Sequence, residues 1–131
     1  MRACFVLASL AVVFWTNQVN GYTCNSNPHV NGCSIPGDLP YFYKNVFNSD
    51  CNKHDICYAC GERKGVSRSD CDSRFYARIK HTCETDSSVS SETWCKMVTF
   101  DYYAAVRIGG SSHYHSPSQP WCSDSWVTSC I

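Results

Sequence analysis

The densest group of residues with chemical potential lies between Asp50 and Gly61, in the sequence DCNKHDICYACG. Within it, His54 is followed directly by Asp55, and Tyr58 lies four residues after the histidine. On a helix, His54 and Tyr58 share a face, whereas Asp55 projects about 100° further round. An imidazole accepts a proton near neutral pH, and a carboxylate accepts hydrogen bonds. The spacing therefore predicts a helix that projects a histidine and an adjacent aspartate into one polar cleft.

Two plainer interpretations compete with this one. A single His-Asp pair most often belongs to a solvated helix face, and a histidine among cysteines can also bind zinc. Zinc is disfavoured, because an even number of cysteines in a secreted chain normally forms disulfides. The chemical interpretation is favoured by the combination of C-x-x-H-D-x-C-Y with a second predicted helix that begins at Cys71-Asp72.

Three helices are predicted to position these residues. The first runs from about Asp50 to Gly61, the second from Asp70 to about Glu84, and the third from about Glu92 to Ile108. Residues 22–50 are rich in Gly, Pro and Asn and are predicted to be mostly loop, and the tail 111–131 is turn-rich. The sequence leaves open whether a β-hairpin is also present.

Capping residues and apolar spacing define the ends and buried faces of these helices. The candidate N-caps of the first helix are Asn48, Ser49 and Asp50, and its candidate C-cap is Gly61. Ser69 has capping-box spacing before Asp72 in the second helix. The predicted buried stripe of the second helix is Cys71, Phe75, Ile79 and Cys83. The predicted buried face of the third helix is Trp94, Met97, Val98, Tyr102, Ala105 and Val106. The remaining histidines are expected at the surface: His29, His81, His113 and His115.

The first 21 residues have the pattern of a secretory signal peptide. Arg2 precedes an apolar run, Ala3–Trp15, and the small residue Gly21 follows a polar stretch. The apolar run of about thirteen residues is shorter than the roughly 20 that a membrane-spanning helix needs. We therefore expect a secreted, extracellular protein whose mature domain is 22–131.

Cysteine content and charge set further limits. One of the 11 cysteines, Cys4, lies in the signal segment, and the remaining ten predict five disulfides in an oxidising compartment. The count alone does not give their pairing. Without Arg2, ten basic residues stand against eleven acidic ones, a net charge of about −1. This balance provides neither the basic surface of a nucleic-acid-binding protein nor a polybasic membrane signal.

The motif and the helix after it resemble the secreted phospholipase A2 superfamily, and within it the conodipine group of cone-snail venoms. The likeness to conodipines extends through residues 31–34, 40–45 and 51–61. It implies a small, mainly α, disulfide-rich fold, in which two antiparallel disulfide-linked helices carry the His/Asp site beside a calcium loop and a third helix. It also implies a calcium-dependent phospholipase A2 of venom that hydrolyses the sn-2 ester of glycerophospholipids at phospholipid aggregates or membranes.

The same resemblance implies roles for individual residues. His54 matches the general base, Asp72 matches the aspartate that binds the far nitrogen of that histidine, and Tyr58 matches a tyrosine that supports the aspartate. Asp55 matches the bidentate Ca²⁺ ligand. Counting outward from Cys33 suggests three loop carbonyls as further ligands, those of Gly32, Ser34 and Pro36. The implied framework disulfides are Cys33–Cys51 and Cys57–Cys71.

Departures from the family pattern leave other interpretations open. Familiar members have two adjacent cysteines before the histidine, where this chain has Asp50-Cys51, and their calcium loop contains more glycine. The acidic, serine-rich segment 84–91 is a candidate processing site, which would give two disulfide-linked chains as in conodipines. A non-enzymatic toxin that binds a receptor or channel on the same scaffold is the main alternative, and a plain disulfide-stapled structural domain is a third.

Overall fold

The computed structural model describes residues 21–34 and 42–131. These ranges contain three α-helices, α1 (Asn48–Cys60), α2 (Arg68–Thr85) and α3 (Glu92–Gly109), and then short 3-10 helices at Ser111–His113, Pro120–Ser123 and Thr128–Cys130. They contain no β-strand, and none of their helices is long and apolar enough to span a bilayer. The mainly α prediction is thereby confirmed. The predicted signal segment, apart from Gly21, and the predicted ligand Pro36 lie outside the described residues.

Helices α1 and α2 are antiparallel and joined at both ends. A disulfide links Cys57, in the last turn of α1, to Cys71, in the first turn of α2, with 5.7 Å between the Cα atoms. At the other end, the Thr82 hydroxyl donates a hydrogen bond of 2.7 Å to the Asp50 carboxylate. This pair of contacts fixes which faces of the two helices meet.

Helix α3 returns antiparallel to α2. The Cys83–Cys95 disulfide closes the connection between them. At the far end, the Arg68 guanidinium donates to the carbonyl of Val106 at 3.1 Å, so the start of α2 holds the end of α3. The start of α2 therefore contacts the ends of both other helices.

The predicted stripe of α2 is buried in full. Its last three residues pack with Phe47, Cys95, Val98 and Tyr102 in the main core, whereas Cys71 packs in a separate cluster with Cys57, Tyr58 and Val66. The predicted face of α3 is wrong at Trp94 and Met97, which are 45% and 62% exposed. Because Cys95 has to face Cys83, the residue before it is turned about 100° away from the core. The buried residues of α3 are Cys95, Val98, Thr99 and Tyr102.

Helix α3 begins at Glu92 as predicted, and the other helix ends differ from the predicted ones by one or two residues. The N-cap of α1 is Phe47, with no capping side chain, rather than the polar residues after it. The N-cap of α2 is Ser67, whose hydroxyl accepts from the Asp70 amide at 3.1 Å, so the predicted Ser69 lies inside the helix. Gly61 is the C-cap of α1, as predicted.

Two more disulfides join the C-terminal tail to α1 and to the loop that precedes it. Cys60 at the end of α1 is joined to Cys122, and Cys24 in the loop before α1 is joined to Cys130. Ile56 and Val127 are fully buried between these cross-links. All ten cysteines of the predicted mature chain are thus paired.

Two isoleucines in helices provide a matched test of the core. Ile79 is fully buried, whereas Ile108 is 85% exposed. We expect Ile79→Ala to lower the free energy of unfolding by about 2–5 kcal/mol through lost burial and a cavity. Ile108→Ala should change it by no more than about 0.5 kcal/mol. Urea unfolding with intact disulfides, followed by circular dichroism, measures both, and equal losses would contradict this core.

Candidate active site

Helix α1 presents its polar residues from one cross-linked stretch. The disulfides Cys33–Cys51 and Cys57–Cys71, both implied by the family resemblance, are present on either side of His54. The rings of His54 and Tyr58 lie 4.2 Å apart between centroids, as the spacing on one helix face predicts. The two cross-links restrict how far this part of α1 can turn or slide.

Asp72, which lies on α2, contacts His54 of α1. The side chain is fully buried, and its Oδ1 lies 2.7 Å from His54 Nε2 and 2.6 Å from the Tyr58 hydroxyl. An ionised carboxylate only accepts hydrogen bonds, so Nε2 of His54 carries the proton and Nδ1 has the free electron pair. The histidine is therefore held in the tautomer that can accept a proton at Nδ1.

Two arginines complete the surroundings of Asp72, and the sequence did not reveal either of them. Arg107 Nη1, from the last turn of α3, lies 2.7 Å from Asp72 Oδ2, and Arg68 Nη1 lies 3.7 Å from the same oxygen. Arg107 is 35 residues from Asp72, and no local spacing connects the two. A buried carboxylate requires a cation partner, but only the packing of α3 identifies which one.

The hydrogen bonds to Asp72 decide its protonation state. Burial acts to raise the pKa of this carboxyl, but the hydrogen bonds from His54, Tyr58 and Arg107 together outweigh burial and hold the pKa below its usual value. Burial and the neighbouring Asp72 raise the pKa of the Tyr58 phenol, so Tyr58 stays a donor. Asp72 is therefore an anion at neutral pH.

Asp55 is half-buried and faces the loop before α1. The Asn31 amide donates to Asp55 Oδ2 at 3.4 Å, and burial raises the pKa of Asp55 to about 6. No ion pair to this carboxylate occurs within residues 21–34 and 42–131. A half-buried carboxylate without a cationic side chain fits a calcium ion, which prefers oxygen ligands.

The predicted loop ligands do not all line the cavity that contains Asp55. Ser34 lines the same cavity as Asp55, whereas Gly32 lines a neighbouring depression. Gly32 has a φ of +72°, and its amide donates to Asn52 Oδ1 at 2.8 Å. Its carbonyl accepts from the Ser34 amide at 3.1 Å and keeps a second lone pair. The described residues contain no cluster of three or more His, Cys, Asp and Glu side chains suited to a metal, so backbone oxygens would have to complete a calcium shell.

His54 and Asp55 open into a cavity of about 580 Å³. One wall is apolar and comes from the end of α3, with Ala105, Val106 and Gly109. The lining also includes His29, His113 and His115, which sequence analysis assigned only to the surface, together with Gln119 and Trp121. The three histidines are exposed as predicted. Their place at the cavity could not be foreseen, because the Cys60–Cys122 cross-link brings the tail to α1 and His29 stacks on Trp121 of that tail.

A buried His-Asp pair beside a separate carboxylate, at the wall of a partly apolar cavity, is suited to hydrolysis of an apolar ester with a cation as electrophile. A family model described as prokaryotic phospholipase A2 matches residues 6–110. The match covers most of the chain and includes His54, Asp55 and Asp72. The chain therefore belongs to this phospholipase A2 family.

Individual relatives agree with that assignment. Conodipine-P3 and conodipine-P2 of Conus purpurascens are each 34% identical over 90 residues, which is 63% of this chain and 49% of theirs. The conodipine-M alpha chain of Conus magus is 35% identical over 54 residues, 40% of this chain and 68% of that one. The chain spans about half the length of the Conus purpurascens relatives. The resemblance to conodipines is confirmed, and no solved structure matches the chain significantly.

The raised pKa of Asp55 gives a test in calcium-free protein. Because the folded pKa is about 6 and the ordinary value is 3.8, the folded state binds this proton more tightly than the unfolded chain. Asp55 therefore lowers stability progressively as the pH rises from about 4 to about 6. We expect the stability of Asp55→Asn, relative to wild type, to increase over that window and to level off above it. Thermal unfolding in chelator across the pH range measures this, and a pH-independent difference contradicts it.

Proposed function

We propose that the protein is a secreted, calcium-dependent phospholipase A2 that hydrolyses the sn-2 ester of glycerophospholipids in aggregates or membranes, as a venom component. The observation that carries the proposal is the 2.7 Å contact between His54 Nε2 and Asp72 Oδ1 beside a cavity that also contains Asp55. Family membership supports the reaction type, and the resemblance to conodipines supports the venom role. Five disulfides support an oxidising, extracellular location.

His54 is the general base in this proposal. With its Nε2 proton held by Asp72, Nδ1 takes a proton from a water molecule while the water oxygen bonds to the ester carbonyl carbon. The negative charge of Asp72 stabilises the imidazolium that forms. The imidazolium then returns the proton to the departing alkoxide as the ester C–O bond breaks. The products are a fatty acid and a lysophospholipid.

Asp55, with the carbonyls of Gly32, Ser34 and Pro36, would hold the calcium ion. When bound, calcium supplies a Lewis acid for the ester carbonyl and a positive charge for the lipid phosphate. The half-buried Asp55 carboxylate supports this role, because it faces the cavity without a cationic side chain among the described residues. The apolar wall from α3 supports a substrate with acyl chains.

The proposal also includes processing within 84–91, which would leave two disulfide-linked chains. The structure has a short connection there, between the end of α2 and the start of α3, and most of its residues are exposed. The name of the conodipine-M alpha chain supports more than one chain for that relative.

His54→Gln tests the general base. Glutamine keeps a polar side chain of similar size but cannot accept the proton, so release of fatty acid from phosphatidylcholine vesicles should fall at least about 10³-fold. The matched control is His81→Gln on α2, because His81 is an exposed histidine away from the cavity. Unchanged circular dichroism with retained hydrolysis in His54→Gln would exclude the assignment. Absence of hydrolysis in wild type would favour the non-enzymatic toxin.

Calcium dependence has its own test. Chelator should abolish hydrolysis by wild type, and calcium should raise its melting temperature, because a ligand that binds only the folded state stabilises it. Asp55→Asn removes the charged ligand, so calcium should neither raise its melting temperature nor restore activity. Wild-type hydrolysis that persists in chelator rules out the calcium part of the proposal.

A further inference from the structure

The two oxygens of Asp72 have separate partners. Oδ1 accepts from His54 Nε2 at 2.7 Å and from the Tyr58 hydroxyl at 2.6 Å, both on α1. Oδ2 accepts from Arg107 Nη1 at 2.7 Å, on α3. One oxygen thus faces the reacting histidine, and the other faces a different helix.

Arg68 does not duplicate the contact of Arg107. Its Nη1 lies 3.7 Å from Asp72 Oδ2, beyond hydrogen-bond distance. The Arg68 guanidinium is directed instead to the backbone of α3, where it donates to the carbonyls of Val106 at 3.1 Å and Arg107 at 3.4 Å. Arg68 therefore helps to hold the end of α3 that carries Arg107.

A close approach at the end of α3 adds to this arrangement. A Cβ atom added to Gly110 would lie 2.5 Å from the Tyr58 hydroxyl oxygen. Only a residue without a side chain lets the end of α3 lie so near the hydroxyl that binds Asp72. The end of α3 therefore has two close contacts near Asp72. Arg68 donates to its backbone carbonyls, and Gly110 lies against the Tyr58 hydroxyl.

We propose that Arg107 is a positioning residue for the hydrolytic reaction, which fixes the Asp72 carboxylate so that its Oδ1 holds His54 in the Nδ1-basic tautomer. This inference rests on the proposed function of His54. A carboxylate held only through Oδ1 can still rotate about its Cβ–Cγ bond and shorten or lengthen the contact to Nε2. The Arg107 hydrogen bond to Oδ2 removes that rotation. Without it, Oδ2 is a buried acceptor whose nearest cation lies at 3.7 Å.

Because of its position, Arg107 should affect turnover and not substrate binding. Its neighbours Val106 and Gly109 line the cavity, whereas Arg107 itself does not. The guanidinium contacts a fully buried carboxylate behind His54. Arg107 therefore acts on the reaction through His54 and makes no contact with a substrate in the cavity.

The test compares Arg107→Met, Arg107→Lys and the exposed control Arg74→Met. The substrate is a short-chain phosphatidylcholine below its critical micelle concentration, and rates are expressed per folded molecule. We expect Arg107→Met to lower kcat about 10- to 100-fold, by analogy with the loss of the outer hydrogen bonds that orient metal-binding histidines. KM should stay within about twofold, because ground-state binding is untouched. Lysine, a cation able to donate to Oδ2, should restore most of kcat.

A spectroscopic measurement makes the test independent of activity. In ¹⁵N-histidine-labelled protein, the His54 signals are identified by their loss in His54→Gln. Wild type and Arg74→Met should have the proton on Nε2, and Arg107→Met should show a mixture of tautomers. Unchanged kcat and tautomer in folded Arg107→Met would overturn the positioning role. If wild type hydrolyses no phospholipid, the proposed function is contradicted, and a tautomer change in Arg107→Met still supports the positioning role.

Discussion

The arrangement of this small protein depends on one constraint, the fully buried carboxylate of Asp72. Taking an ionised carboxylate out of water costs several kcal/mol unless hydrogen bonds and opposite charge replace the lost hydration. Here the replacements come from His54 and Tyr58 on α1 and from Arg107 on α3, while Asp72 itself lies on α2. All three helices must therefore be in place before the charge is compensated. The same packing of the three helices that folds the chain therefore also assembles the site.

The disulfides make this arrangement possible in a chain with a small core. The Cys57–Cys71 bridge lies next to Asp72 in sequence, so it restricts the approach of α1 and α2 at the point where the charge is buried. A cross-link also reduces the conformational entropy of the unfolded chain. The core alone, built around Phe47, Phe75 and Ile79, then has less of that entropy to overcome.

The parts of the site within one helix, or next to an implied disulfide, were predictable from the sequence. His54, Tyr58 and Asp55 follow from helical spacing, and Asp72 follows from its place beside Cys71 in a known family pattern. Arg107 and the loop histidines were not predictable, because their contacts depend on how α3, the tail and the loop before α1 pack against residues far away in the sequence. The buried face of α3 was misjudged for a related reason: Trp94 and Met97 are apolar, but the Cys83–Cys95 bridge sets the rotation of the helix.

The order of the disulfides along the chain has a consequence for proteolysis. Three of the five bridges, Cys24–Cys130, Cys60–Cys122 and Cys83–Cys95, connect residues before the α2–α3 connection to residues after it. A single cut between Cys83 and Cys95 would therefore yield two polypeptides in one covalent molecule, with His54 on one and Arg107 on the other. Such a heterodimer would need no newly formed interface, since its subunits would have folded as one chain, and only a reductant would separate them.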